Sequence, residues 1–125
     1  SLQSDKRVTV LDRTNVRALD PQAVAPAPGL VVGDLSFISL TLVLAPLLAA
    51  AAEDADLLLM VKPQFEVGKH RIGRGGVVHE ESARREAVEK VQASAVSHGM
   101  RVMGMEPSPL PGQDGNVEYF LWCRK

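Results

Sequence analysis

Residues 56–76 read DLLLMVKPQFEVGKHRIGRGG. A run of mostly apolar residues stops at Lys62, Pro63 follows at once, and a loop rich in cations and glycines comes behind it. An apolar run without alternation is the pattern of a parallel strand covered by helices on both faces. Ligands of open α/β sheets bind beyond the carboxyl ends of such strands. Proline keeps the residue before it out of the helical region, so Lys62 is held extended and its direction is set. A merely solvated lysine has no need to lose that freedom. An X-Pro pair is also an ordinary way to end a strand, and this stretch alone leaves both readings open.

The neighbouring segments fit the same layout. Residues 7–17, RVTVLDRTNVR, begin with alternating β-branched residues and turn polar, which predicts a strand with a loop at its C-terminal end. Three prolines in residues 20–29 predict a connection with little helix. A short strand follows at 30–32, then an apolar helix reaching to about 52, with Ser36 and Ser39 as candidate caps. After the 64–78 loop, Ala87, Val88, Val91 and Ala95 share one face of a helix predicted over 80–98, and Gly99 suits its end. Residues 101–106 and 116–124 read as strands joined by the short loop PSPLPGQDG, hence antiparallel.

With 125 residues the chain holds at most one domain, and 46% apolar against 23% charged residues is a globular composition. A formal charge of −1 gives no global attraction to nucleic acid, so any basic surface is local. The single cysteine, Cys123, excludes an intrachain disulfide and suits a reducing cytoplasm. The longest apolar run, 40–52, is too short for a membrane span and Pro46 interrupts it. The opening SLQSDKRV lacks the pattern of a signal peptide, and the chain is expected to be a fragment of a longer one. No metal site is expected.

Four polar residues fall at strand ends on one rim: Asn15, Asp34, Lys62 and, in the returning strand, Glu118. An aspartate between strand and helix is commonly only a cap. A carboxylate among Val, Tyr, Phe, Leu and Trp needs a partner if buried, and lysine is the natural one. Lys62 between Asp34 and Glu118 could hydrogen-bond a hydroxyl and take its proton, provided that a further cation offset the two carboxylates. Nothing obvious in the chain supplies that cation. Lys69, Arg71 and Arg74 among glycines make a strip suited to phosphate, or a plain solvated loop.

The ordered set DRTNVR, DLSFIS, VKPQFEVGK, GRGGVVHE, SPLPG and GNVEYFLW resembles the FtsJ-like ribosomal RNA 2′-O-methyltransferases, in their TlyA (hemolysin A) subfamily, over essentially the whole chain. The resemblance implies a Rossmann-like, S-adenosylmethionine-dependent α/β fold and a Lys-Asp-Lys-Glu catalytic tetrad. The last three members match Asp34, Lys62 and Glu118. It implies that Lys62 activates a ribose 2′-hydroxyl, and that Asn15, Asp34, Leu35 and Phe37 line the cofactor's side of the pocket, although Phe37 also reads as core packing. Lys69, Arg71 and Arg74 are then the candidate RNA contacts, and ribosomal RNA or a ribosomal subunit is the expected partner.

The same resemblance marks what this chain lacks: an S4-like RNA-binding domain, the first tetrad lysine, and the first two strands of the sheet with the glycine-rich cofactor loop. Residues 1–125 are therefore expected to be the C-terminal portion of one methyltransferase domain, inactive alone, with an incomplete cofactor site and a bare sheet edge at 30–32 that favours self-association. Other functions are a non-catalytic RNA-binding or assembly fragment, and a membrane-active haemolysin after the subfamily's second name. A dehydrogenase would need a dinucleotide loop that these residues do not supply.

Overall fold

The structure, a computed structural model, describes the backbone of residues 1–125 and all side chains except that of Gln113. Four strands form one mixed sheet: β1 (Leu30–Gly33), β2 (Asp56–Val61), β3 (Arg101–Pro107) and β4 (Tyr119–Arg124), in the order β1-β2-β4-β3. β1 and β2 are parallel, with Leu30 opposite Asp56. β4 lies between β2 and β3 and is antiparallel to both, as the short 108–118 connection requires. The chain thus belongs to the α/β class, with its last two strands antiparallel.

Two helices connect the strands. α1 (Leu44–Ala50) follows a 3-10 turn at Leu40–Leu42, so the apolar run is broken where one continuous helix was expected. Pro46 sits in the first turn of α1, where its missing N–H breaks no intrahelical bond. Ser39 caps the 3-10 turn by accepting from Thr41 N, whereas Ser36 is used elsewhere. α2 (Glu81–Ser97) buries Ala83, Ala87, Val91 and Ala95 along one stripe. It ends with Gly99 at φ +84, where Gly99 N bonds Val96 O and Met100 N bonds Ala95 O. That double closure needs the left-handed conformation that glycine adopts without strain.

Leu44 and Leu48 of α1 and Val91 and Ala95 of α2 share one core with Leu57, Leu59, Val61, Leu121 and Cys123 of the sheet. Each fully buried leucine or valine there is worth about 1.5–3 kcal/mol over exposure. Both helices therefore lie on one face of the sheet. The β1-α1-β2 and β2-α2-β3 crossovers advance in the same direction across the sheet, and two right-handed crossovers of that kind put their helices on the same side. The opposite face, with Leu58, Met103 and Trp122 exposed, is bare where helical cover on both faces was expected. It borders an open groove of about 590 Å³.

The strand expected near residues 8–11 is absent. Val8, Val10 and Leu11 are exposed and pair with no strand, and Val8 N instead closes a turn onto Asp5 O. Alternating β-branched residues make a strand only where a neighbour takes up their backbone groups. β4 starts at Tyr119, later than the predicted 116. Asn116 O accepts from Gly112 N of the preceding loop, and the side chains of Asn116 and Glu118 are taken up by Val78 N and Gln64. No helix among the described residues is long and apolar enough to cross a membrane.

Candidate active site

Lys62 is the residue just past β2. Its backbone is extended (φ −116°, ψ 101°), as the following Pro63 requires, and Pro63 is itself buried. Continuing the parallel register of β1 and β2 brings Ser36 beside Lys62, and continuing the antiparallel register of β2 and β4 brings Glu118 beside it. Topology thus gathers one polar residue from each of three neighbouring elements at a single rim.

The side chains divide that rim into two groups. Lys62 Nζ lies 2.5 Å from Asp34 Oδ1 and donates to Ser36 Oγ at 3.1 Å. The lysine side chain is only 11% exposed, whereas that of Asp34 is 71% exposed. The lysine side chain is thus largely covered, and its ammonium is held by a carboxylate that water still reaches. Glu118 is buried, at 4% exposure, and its partner is Gln64, whose Nε2 donates to Oε2 at 2.9 Å. Among the described residues no ion pair joins Lys62 to Glu118. The expected lysine between two carboxylates is instead a Lys62–Asp34 pair beside a Gln64–Glu118 pair. A buried amide, not the ammonium, satisfies the glutamate because Gln64 sits on the tight turn after Pro63 and faces inward.

Asn15 and Phe37 meet in an open groove of about 530 Å³ that Arg17, Ser39 and Phe65 also line. Asn15 Oδ1 accepts from Arg17 N, which closes the turn that carries both. Phe37 is 80% exposed, so it is not core packing. Its φ of +64 is a strained conformation for an aromatic residue, of the kind that concentrates at binding sites. Its ring lies 5.2 Å from that of Phe65 at a tilt of 55°. Leu35 belongs to the packing around the core, so its side chain does not stand free toward this groove.

In the loop, Arg71 is taken up by Glu86 and lies 3.8 Å from Glu80, which ties the loop to α2. Lys69 and Arg74 are exposed and pair with no carboxylate among the described residues.

Three residues that no local pattern marked organise the same region. Glu66 accepts from Ser39 Oγ at 2.6 Å and from Leu40 N at 2.8 Å, and its Oε1 lies 3.4 Å from Lys90 Nζ. Asn116 accepts from Val78 N and donates to Gly76 O, fastening the end of the loop. Gly112 lies so close to Glu118 that a Cβ there would overlap the carboxylate. No sequence signal singles them out, since Glu66 and Asn116 stand among other polar loop residues and Gly112 has no side chain.

The profile of the FtsJ-like methyltransferases matches residues 1–125. The chain belongs to the FtsJ-like methyltransferase family. This FtsJ-like chain is 53% identical over 124 residues to the 16S/23S rRNA (cytidine-2′-O)-methyltransferase TlyA of Mycobacterium tuberculosis, covering 99% of the chain and 46% of that protein. It is 34% identical over 121 residues to YqxC of Bacillus subtilis, a candidate rRNA methyltransferase, covering 96% of the chain and 43% of that protein. Its fold superimposes on a candidate hemolysin of Streptococcus thermophilus with a TM-score of 0.94 at 35% identity, covering 99% of the chain and 45% of the other. The FtsJ-like chain therefore spans about half the length of the relatives it matches.

Proposed function

We propose that the whole protein is an S-adenosylmethionine-dependent rRNA 2′-O-methyltransferase that methylates a ribose 2′-hydroxyl, with Asp34, Lys62 and Glu118 as its catalytic residues. The observation that carries this reading is the largely covered Lys62 side chain with its ammonium held by Asp34 at the carboxyl end of β2, in a chain of the FtsJ-like family. The relative at 53% identity bears the name of a cytidine-2′-O-methyltransferase acting on 16S and 23S rRNA. Ribosomal RNA or a ribosomal subunit is accordingly the partner, and the cytoplasm the location.

Asp34, Asn15 and Phe37 form the cofactor's side of the site, with Leu35 joining it to the core behind. The Asn15–Phe37 groove offers an aromatic face beside amide and hydroxyl edges, which suits a nucleoside. No acidic side chain is among the groove's described lining residues, and ribose hydroxyls of bound nucleotides are commonly held by one. The residues present thus fit part of the cofactor. When bound, S-adenosylmethionine supplies an electrophilic methyl group on its sulfonium. Lys62 takes the proton of the acceptor hydroxyl, Asp34 fixes the direction of the amine, and burial keeps water away from it. Lys69 and Arg74 are free to meet RNA phosphates, while Arg71 positions the loop that carries them.

Lys62→Ala in the whole protein tests this reading. The expected result is loss of methyl transfer to rRNA with RNA binding retained; unchanged transfer overturns the catalytic role. Chain 1–125 alone is expected to be inactive and to bind no S-adenosylmethionine in calorimetry, and micromolar affinity would overturn the incompleteness of its cofactor site. Its bare sheet edge is expected to make it self-associate.

A further inference from the structure

Glu118 is held from two sides by groups that have no charge. On one side, Gln64 Nε2 donates to its carboxylate at 2.9 Å, and both residues are buried. A carboxylate accepts but does not donate, so the amide must present its NH2 to Glu118 and turn its oxygen away. That oxygen, Gln64 Oε1, is buried and has no hydrogen-bond partner among the described residues. On the other side, the Gly112 backbone is packed against the carboxylate with no room for a Cβ. The loop carrying Gly112 is anchored at both ends, with Ser108 N donating to Glu118 O at 2.7 Å and Gly112 N to Asn116 O at 2.8 Å.

The amide satisfies the buried carboxylate but leaves its own oxygen unsatisfied, which costs stability. An unsatisfied group of this kind calls for a reason beyond that pairing. Strand register supplies one: it brings the backbones of Lys62 and Glu118 side by side, yet their side chains are not paired.

We infer that Gln64 and Gly112 clamp the Glu118 carboxylate away from Lys62, and that both are positioning residues for proton removal by that lysine. The inference rests on the catalytic reading proposed above. Lys62 already has Asp34 at 2.5 Å on the β1 side. A second carboxylate in contact, Glu118 from the β4 side, would hold the lysine as an ammonium and take away its ability to accept a proton. Asp114 borders the same cavity as Gln64, and the Glu66 carboxylate, on the same turn as Gln64, is turned to Ser39 and Leu40. The clamp keeps Glu118 within the site without letting it lock the base.

Two variants of the whole protein test the clamp from its opposite sides. Gln64→Met removes the amide donor at similar volume, and Gly112→Ala pushes the carboxylate while leaving Gln64 intact. Each is expected to lower kcat by about 10- to 100-fold, with KM for RNA and for the methyl donor essentially unchanged. The rising limb of the pH–rate profile should move to higher pH. A wild-type kcat and profile, or a loss equal at every pH, overturns the inference. Should one variant fail to fold, the other decides. A crystal structure of either variant gives a readout that needs no activity: Glu118 turned into contact with Lys62 is expected, and an unmoved carboxylate overturns the clamp. Wild-type protein assayed in parallel separates the two claims, because failure of the wild type to methylate rRNA removes the proposed function while the crystallographic result still judges the clamp.

Discussion

Cys123 has no exposed surface and faces Leu57 across the β2–β4 ladder. Burial pushes its thiol from 9.0 up to about 11. The unfolded chain releases that proton at lower pH than the native one, so between pH 9 and 11 the native state holds more protons and stability falls as pH rises. Denaturant titrations at pH 8 and pH 10.5 should show the fall, and Cys123→Ala should flatten it while lowering stability at both values through the small cavity it leaves. The native thiol should also resist aromatic disulfide reagents at pH 8 until the chain is unfolded. Asp56 works in the opposite direction. Hydrogen bonds from Trp122 Nε1 and Arg124 Nε hold its carboxyl below the usual value. Its contribution is present above the unfolded value and is lost as pH falls. The first effect follows from burial in the core and the second from side chains opposite and diagonal across the sheet, and nothing in DLLLMV or YFLWCR alone announces them.

At the scale of elements, the segment after β2 is fixed to the start of the α1 region by one carboxylate. Glu66 adds to the Ser39 cap of the Leu40–Leu42 turn by accepting from Leu40 N, and binds Lys90 of α2 as well. Glu66→Ala leaves Leu40 N–H buried without its acceptor and is expected to cost about 2–3 kcal/mol in urea unfolding. Ser39→Ala removes the local cap and one donor to Glu66, with an expected cost near 1 kcal/mol. Proline after Lys62 made the strand end visible in the sequence, because that restriction acts between adjacent residues. Glu66 was not visible as a staple, because its partners at Ser39 and Leu40 lie 27 and 26 residues away. The same distance argument explains Gln64, whose partner lies 54 residues on. It also explains why residues 8–11 looked like a strand: alternation records a preference for a pleated surface but not the presence of a neighbour to pair with.

At the scale of the molecule, the sheet has a packed face and a bare one, and its β1 edge carries exposed Leu30 and Val32. An apolar edge of this kind is a template for further strand pairing. Sedimentation of chain 1–125 is expected to show concentration-dependent association, which Val32→Lys at the edge should weaken. A monomer at all concentrations would count against edge pairing. The two faces could not be told apart beforehand, since β2 is apolar at Leu57, Leu58, Leu59 and Met60 alike. Only the direction of the two crossovers assigns one set to the helices and leaves the other uncovered.

The sequence by itself determined the α/β class, the order of strands and helices from residue 30 onward, the family, and the lysine fixed at a strand end. All of these depend on neighbours in the chain or on motifs read in order. Tertiary structure alone decided that Asp34 holds Lys62, that Gln64 and Gly112 hold Glu118, and that one sheet face is bare. Those outcomes depend on strand register, on a backbone approaching within the space of a missing Cβ, and on crossover direction. Two of the pairings join segments tens of residues apart. The Gly112–Glu118 approach, though local, is set by how the loop between them closes, so no local pattern encodes them.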